Sequence, residues 1–324
     1  MSTHGLVRSA VAAIVGLWGL GAAQAQDFPN RQITILVGVA PGGITDITTR
    51  LYAEVVSKSV GQRIIIDNRP VAGGAVAATA VQNAPPDGYT LLSFPVSQFA
   101  TLPAMQPVTY DPLKGFAPVT VLFNLPALLL VPANHPANSL AELLDYGRNK
   151  PGGLSFGSPG VGSPSHLLAA NIGAATKTPI EFVQYRGGAQ IIADLITGRV
   201  DFVFSSYTAA GAQLADNKLK ALAIDASTRW SKLPDVPTIV ELGFGKARVA
   251  SWFGLAAPAA TPPAIIRKLN AEFVKASRDP DLVKRLRDNG TLIQTSTPEE
   301  AKTMLAAEVK NIAEVVRALG LQQK

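Results

Sequence analysis

The stretch Ile33-Thr34-Ile35-Leu36-Val37-Gly38-Val39-Ala40-Pro41-Gly42-Gly43-Ile44-Thr45-Asp46 decides the fold class of this chain. Its first half is apolar and rich in β-branched residues, which favours a buried strand, and a glycine turn follows. After the turn, Ile47, Leu51 and Val55 recur at spacings of four, which predicts a helix. Such a turn exposes unpaired backbone N–H groups and can bind an anion, or it can simply reverse the chain. Both interpretations stay open at this point.

The first 25 residues have the pattern of a secretory signal peptide. Arg8 precedes an apolar run over residues 11–23, and Ala23-Gln24-Ala25 is a small-x-small cleavage site. The run is shorter than the ~20 residues that span a bilayer. The chain has no cysteine, which excludes disulfides, thiolate metal sites, a cysteine nucleophile and a lipid-modified cysteine. We therefore expect a soluble protein that is exported to the periplasm.

Length and charge restrict the possible partners. About 299 of the 324 residues remain after cleavage, enough for two domains at ~100–200 residues each. The formal net charge is +6 for the full chain, and Arg8 is lost with the signal peptide. The basic residues are scattered without runs or interleaved aromatics, so no nucleic-acid partner is expected. A mild positive field favours an anionic solute but is also ordinary for a solvated surface.

Apolar β-branched runs alternate with helix-length segments along the whole chain. This order predicts parallel βαβ units, hence an α/β protein in which each lobe is a mainly parallel sheet flanked by helices. Composition shifts at 118–126 and at 233–248 predict two crossings between lobes. The first lobe is then discontinuous, at 26–124 and 249–324, and the second covers 125–248. The predicted strands are residues 33–39, 63–66, 90–94, 128–131, 154–156, 181–183, 200–204 and 219–224.

Two further glycine-rich turns follow predicted strands, at residues 155–163 and 184–189. Ligands of open α/β sheets bind beyond the carboxyl ends of the strands, so these turns and the first one are expected to face a common cleft. Arg186 can pair with a ligand carboxylate, or with Glu181 or Asp194. Asp46, in the first turn of its helix, is expected to cap free N–H groups and to support binding indirectly. His166 can donate to a ligand oxygen or pack as a structural histidine.

One enzyme motif matches. Gly153-Leu154-Ser155-Phe156-Gly157 fits the G-x-S-x-G nucleophile elbow, whose catalytic triad runs serine, acid, histidine along the chain. His166 is the only histidine after Ser155, and no carboxylate lies between the two. No dinucleotide fingerprint, phosphate loop or clustered metal ligands are present, so neither cofactor nor metal is expected. A binding protein without catalytic residues is favoured, and a secreted serine hydrolase that uses Ser155 stays as the alternative.

Nine segments, spread over nearly the whole mature chain, resemble segments of one known family and occur in the same order as in that family. They are Phe28-Pro29-Asn30-Arg31-Gln32-Ile33, Pro41-Gly42-Gly43-Ile44-Thr45-Asp46, Asp67-Asn68-Arg69-Pro70-Val71-Ala72-Gly73-Gly74, Pro85-Pro86-Asp87-Gly88-Tyr89-Thr90-Leu91-Leu92, Tyr110-Asp111-Pro112, residues 157–166, Tyr185-Arg186-Gly187-Gly188, Leu233-Pro234-Asp235-Val236-Pro237-Thr238 and Trp252-Phe253-Gly254-Leu255. In these segments the chain resembles the substrate-binding proteins of tripartite tricarboxylate transporters, the Bug family of periplasmic solute-binding proteins.

The resemblance implies a two-lobed, Venus-flytrap fold of type II-like topology that closes over a small organic carboxylate. It implies that the carboxylate is held mainly by backbone N–H groups and ordered waters, and that segments 93–101 and 205–209 line the cleft. It also implies delivery to the membrane permease subunits of such a transporter by a protein expected to be a monomer, while a role in reporting the solute to a membrane receptor stays open. The expected ligand-binding residues are Gly42, Gly43, Thr45, Asp46, Ser93, Ser158, Gly160, Gly162, Ser163, His166, Arg186, Gly187, Gly188 and Ser205.

Two positions depart from the family pattern. Val71 stands where the family usually has glycine, so the local backbone or the approach of a ligand can differ. Arg186 stands in place of the commoner lysine, which keeps the charge but offers a planar fork of donors. Neither position identifies the ligand.

Overall fold

The computed structural model describes residues 28–185 and 187–322. The signal peptide predicted at residues 1–25 and the candidate residue Arg186 lie outside the described residues. The described strands are β1 (Ile33–Val37), β2 (Ile64–Asn68), β3 (Thr90–Pro95), β4 (Phe116–Asn124), β5 (Ala127–Pro132), β6 (Leu154–Ser158), β7 (Ile180–Gln184), β8 (Val203–Ser206), β9 (Leu219–Ile224), β10 (Trp252–Pro258) and β11 (Leu292–Ile293).

Helices follow most of these strands. None of them, within the part of the chain that the structure describes, is long and apolar enough to cross a membrane. The helices are α1 (Ile44–Val60), α2 (Ala75–Gln82), α3 (Val96–Phe99), α4 (Thr101–Met105), α5 (Leu140–Asn149), α6 (Pro164–Thr176), α7 (Gly188–Ile196), α8 (Tyr207–Ala215), α9 (Pro263–Ala276), α10 (Pro280–Asp288) and α11 (Pro298–Ala318), with short 3₁₀ turns at Val71–Gly74 and Gly245–Ala247.

The first lobe is built on a six-stranded sheet in the order β11-β4-β10-β3-β1-β2. Strands β1, β2 and β3 are parallel to one another, whereas β10 is antiparallel to both β3 and β4, and β11 is antiparallel to β4. The sheet therefore combines strands from early and late parts of the chain.

The second lobe contains two smaller groups of strands. An antiparallel sheet has the order β8-β5-β9, and β6 and β7 form a parallel pair that touches the chain before β8 through a Phe156–Phe202 bridge. Between the lobes, the N–H of Leu125 donates to Ser251 O at 2.9 Å. The outgoing and returning segments of the chain thus run side by side at the crossover.

This architecture confirms the α/β, two-lobed expectation but corrects one detail of it. The sheets are mixed rather than mainly parallel, because β4 and β10 are long strands that carry the chain out of the first sheet and back into it. The predicted crossing at 118–126 lies mostly inside β4. The domain boundaries at 124/125 and 248/249 stay a prediction.

Local sequence signals explain where several helices begin. Thr297 and Glu300 form a reciprocal capping box at the start of α11, with Pro298 in the first turn, as the sequence indicates. In α1, the buried face is the expected one only in part: Leu51 is buried as the spacing predicts and Val55 packs against the core, but Ile47 does not follow. Ile47 is 37% exposed, and the face that packs on the sheet carries Thr45, Thr49 and Tyr52. The small threonines allow the helix to approach the strands closely, and the Thr49 hydroxyl donates to Thr45 O at 2.6 Å, whereas Thr48 Oγ1 is buried without a partner among the described residues.

Candidate functional site

The carboxyl ends of β1, β2 and β3 meet at one edge of the first sheet, because these strands are parallel. The first glycine turn, the 3₁₀ turn Val71–Gly74 and helix α3 leave this edge. Their backbones approach closely: a Cβ atom at Gly38 would lie 2.7 Å from Gly74 Cα. This edge faces the second lobe and is where ligands of open α/β sheets bind.

The first glycine turn is held by its own helix. Gly42 has a φ of +84°, and its N–H donates to Asp46 Oδ2 at 2.9 Å, while the Gly43 N–H donates to Ala40 O at 3.2 Å. The expected free donors at Gly42 and Gly43 are therefore occupied. Among the described residues, the N–H groups of Ile44 and Thr45 have no acceptor, as is usual in a first helical turn.

The Asp46 carboxylate holds this turn together by accepting hydrogen bonds. It is 3% exposed and also accepts hydrogen bonds at 2.9 Å from Arg50 Nε and from Asn68 Nδ2. Burial alone would raise the pKa of Asp46, but the hydrogen bonds from Arg50, Gly42 and Asn68, with the Arg50 charge, outweigh burial and lower that pKa. The ionised carboxylate holds the turn and is too enclosed to contact a solute.

Ser93 lies beneath the same turn rather than in a cleft. Its side chain has no exposed surface, and its Oγ is 2.7 Å from Thr49 Oγ1, which donates to Thr45 O at 2.6 Å. In this conformation Ser93 positions α1 through Thr49. Strand β3 points this side chain into the helix–sheet interface, and a contact between Ser93 and the ligand stays a prediction.

The second turn is a network of serines and glycines. Ser163 caps α6: its Oγ accepts from the His166 N–H at 3.3 Å and donates to Gly160 O at 2.8 Å. The Gly160 N–H donates to Ser158 Oγ at 3.2 Å. Among the described residues, the N–H groups of Val161 and Gly162 have no acceptor. These two donors, at the start of α6, are the open positions of the turn.

Two of the expected ligand residues lie under this turn. Ser158 is fully buried, and His166 is 7% exposed and stacks on Phe182 with ring centroids 4.4 Å apart. Burial lowers the pKa of His166, so its imidazole is neutral at neutral pH. Both residues support the turn, Ser158 through Gly160 and His166 through Phe182 and a 3.4 Å contact between its Nδ1 and Ser158 Oγ, and their contact with a ligand stays a prediction.

A cavity of about 380 Å³ separates the two lobes. On the first lobe it is bounded by the 3₁₀ turn and by α3 and α4, and on the second lobe by the second glycine turn. No residue of the first glycine turn is among the described lining residues. The described lining residues are Gly73, Pro95, Ser97, Gln98, Thr101, Leu102, Met105, Gln106, Pro159, Gly160, Val161, Gly162, Ser163 and Pro164.

Polar groups of α3 and α4 face this cavity. The side chains of Ser97 and Thr101 have no hydrogen-bond partner among the described residues. Gln98 is 3% exposed and donates from Nε2 to Gly74 O at 2.9 Å, which leaves its Oε1 without a partner. A Cβ at Gly74 would lie 2.9 Å from the Gln98 amide carbon, so glycine is required for this contact. Segment 93–101 contributes these groups, although sequence alone did not single them out.

One contact joins the lobes across the cavity. A Cβ built on Gly162, whose φ is +76°, would lie 2.1 Å from Met105 Sδ. The thioether of α4 therefore rests on the bare backbone of the second turn. Any other residue here would adopt a strained left-handed backbone, and its Cβ would displace the Met105 thioether.

The third glycine turn contributes an open backbone beside the second. The Tyr185 N–H donates to Ser158 O at 2.9 Å, and Gly187 is the N-cap of α7, which begins at Gly188. Both glycines are exposed, and a Cβ would meet no atom within 4 Å at either. Asp194, one alternative partner suggested for Arg186, accepts from Tyr185 Oη and Arg199.

Two other expected positions flank the cleft region. Ser205 is half-buried near the carboxyl end of β8, at the register of Leu128. Val71 is 60% exposed at the start of the 3₁₀ turn, and Ala72 after it adopts a left-handed φ of 51°. Because the Val71 side chain points to solvent, valine fits here where the family usually has glycine.

Ser155 does not have the geometry of a nucleophile elbow. It lies inside β6, not in the turn that follows, and its Oγ donates to Asp201 Oδ2 at 2.8 Å. The same carboxylate binds Lys150 Nζ at 2.6 Å. The hydroxyl is fixed in a structural ion pair, and the described residues place no histidine in hydrogen-bond contact with it.

A larger surface cavity, of about 540 Å³, lies beside the start of α11. Its wall comes from residues 294–304 of the first lobe alone and includes Glu299 and Glu300. Two carboxylates disfavour an anionic ligand, so the interlobe cavity is the better candidate site.

Comparison with known proteins identifies relatives of the whole chain. A family model described as "Tripartite tricarboxylate transporter family receptor" matches residues 48–321. "Protein BugT" of Bordetella pertussis is 30% identical over 321 residues, 96% of this chain and 98% of that protein.

Two solved structures are also similar over most of the chain. The structure "R. palustris Rpa4515 with adipate" has 33% identity and a TM-score of 0.75, covering 91% of this chain and 99% of that one. "MatC (Rpa3494) from Rhodopseudomonas palustris with bound malate" has 34% identity and a TM-score of 0.70, covering 89% and 100%. The chain belongs to the tripartite tricarboxylate transporter receptor family, the Bug family of periplasmic solute-binding proteins.

Proposed function

We propose that this protein captures a small organic carboxylate in the interlobe cavity and delivers it, unchanged, to the permease subunits of a tripartite tricarboxylate-type transporter. The observation that carries the proposal is a cavity of about 380 Å³ whose wall comes from both lobes. A solute held between lobes favours their closed arrangement, as ligands that bind one state better shift the population toward it.

The donors around the cavity suit a carboxylate. Val161 and Gly162 offer backbone N–H groups just before the Ser163 N-cap of α6, and the dipole of that helix favours negative charge near its N-terminus. Ser97 and Thr101 offer hydroxyls from the opposite lobe. The relatives in complex with malate and adipate support the same chemical class.

Binding is tested by calorimetry and thermal unfolding with mono-, di- and tricarboxylates, acidic amino acids and aromatic acids. We expect at least one acid to bind with one-to-one stoichiometry and raise the unfolding temperature. If only neutral compounds bind, the carboxylate assignment is wrong. A solute trapped in the purified protein and identified by mass spectrometry gives the ligand directly.

Delivery and export need separate tests. Cells that lack the chain should lose uptake of the solute, and a plasmid copy should restore it only when the permease subunits are present. The exported protein should begin at Gln26 and elute as a monomer. Uptake that persists without the chain contradicts the transport role.

A further inference from the structure

We infer that a shelf formed by Leu102, Met105 and Val161, called the apolar shelf below, makes this protein select solutes with one carboxylate and an apolar body. The inference rests on the proposed function, since it concerns the solute that fills the interlobe cavity. It assigns specificity to side chains of α4 and of the second turn.

The apolar shelf spans the cavity from wall to wall. A Cβ at Gly73 would lie 3.3 Å from Leu102 Cδ2, so Leu102 rests on the 3₁₀ turn of the first lobe. Met105, three residues later on α4, reaches the backbone of Gly162 in the second lobe. Val161, beside that contact, is 54% exposed. An apolar body lying on these side chains removes their surface from water, which favours binding.

The cavity wall carries no charge among the described residues that line it. One carboxylate finds the N–H groups of Val161 and Gly162 at the turn and the hydroxyls of Ser97 and Thr101. A second carboxylate on a solute whose body lies along the apolar shelf would rest against the thioether and the isobutyl group. Burying an ionised group without a charged or hydrogen-bonding partner is strongly unfavourable, whereas an alkyl group meets no such penalty.

The cavity volume fits a solute of modest size. At about 380 Å³, the cavity lies within the range of roughly 300–1,000 Å³ that is usual for small-molecule sites. Hexanoate and adipate both fit this space and share one carbon chain. They differ only in the second carboxylate, so their affinity ratio measures the selection by the apolar shelf.

The test is calorimetric titration of the mature protein with hexanoate, adipate and citrate. We expect hexanoate to bind at least about tenfold more tightly than adipate. The variant Met105→Lys should shift the ratio toward adipate by at least about tenfold, because its ammonium pairs with the distal carboxylate. Met105→Leu is the matched control and should keep the wild-type preference. Thermal unfolding confirms that each variant is folded.

The outcomes separate this inference from the proposed function. Adipate or citrate binding as tightly as hexanoate to the wild-type protein overturns the inference and leaves a carboxylate-binding protein. An unchanged affinity ratio in folded Met105→Lys also overturns it. If none of these acids binds, nor any acid of the wider panel, the proposed function itself fails.

Discussion

The contact between Met105 and Gly162 predicts a variant that folds but binds its solute poorly. In Gly162→Ala, the new Cβ enters space held by Met105 Sδ, 2.1 Å away across the cavity. The φ of +76° adds strain of about 1–2 kcal/mol for a left-handed alanine. The strain is present whether the lobes are open or closed, whereas the collision exists only when α4 and the second turn meet.

The expected size of the effect follows from the overpacking. Forcing an extra methyl group into a packed contact costs about 1–3 kcal/mol, since Met105 can shift in part. Applied to the closed state alone, that energy raises the Kd of the solute by about 5- to 150-fold. Gly198→Ala is the matched control, because Gly198 has a φ of +75° in the same lobe and no atom within 4 Å of its Cβ position.

The assay combines urea unfolding with calorimetric titration of a solute that binds the wild type. Both glycine variants should lose similar unfolding free energy, and only Gly162→Ala should lose affinity. Adding Met105→Ala to Gly162→Ala should bring the affinity to that of Met105→Ala alone. Equal affinities for the two glycine variants, or no recovery in the double variant, would refute a closed state built on this contact.

Three other substitutions test the supporting residues. Asp46→Asn should lower the unfolding free energy at neutral pH by about 1.5–3 kcal/mol, the value of hydrogen bonds to a charged group. Because the folded-state pKa of Asp46 is depressed, this stability is present above the ordinary value of 3.8 and is lost as pH falls through the lower folded-state pKa. The unfolding free energies of wild type and variant, measured against pH, should therefore converge in acid. Ser163→Ala removes the cap of α6 and should cost about 1 kcal/mol in urea unfolding and weaken solute binding; unchanged affinity would remove the second turn from the site. Ser155→Ala should lower the unfolding free energy by about 1 kcal/mol, because the hydrogen bond to Asp201 is lost, and should leave solute affinity unchanged. A panel of ester substrates should show no hydrolysis by either protein. Esterase activity in the wild type that disappears in the variant would restore the hydrolase alternative.

The sequence predicts local structure well where one short segment determines it. Glycine turns, the capping box of Thr297 and Glu300, and most strands of both lobes follow from residue type and spacing. Strands β4 and β10 are different. They are buried on both faces and lack alternation, so nothing in the residues indicates a strand direction. Their antiparallel insertion into the first sheet is a property of the tertiary structure.

The site shows the same limit. Glycine turns at the strand ends indicate where a ligand is expected, but sequence does not tell which N–H groups are already used. The Gly42 N–H already donates to Asp46, and in the second turn Ser163 donates to Gly160 O while Ser158 accepts from the Gly160 N–H. Gln98 and Met105 come to the cavity through packing against Gly74 and Gly162, residues distant in sequence. Apart from the glycines that leave room for them, nothing in the neighbouring sequence predicts such contacts.

The central claim is that the protein holds a carboxylate between its lobes and releases it unchanged. The most direct test is a calorimetric titration with a binding acid and with its primary amide, followed by mass spectrometry of the recovered solute. The acid should bind one-to-one, the amide should bind about 100-fold more weakly because charge-assisted hydrogen bonds are lost, and the recovered acid should have its original mass. An amide that binds as tightly as the acid, or a solute recovered with a changed mass, would contradict the account.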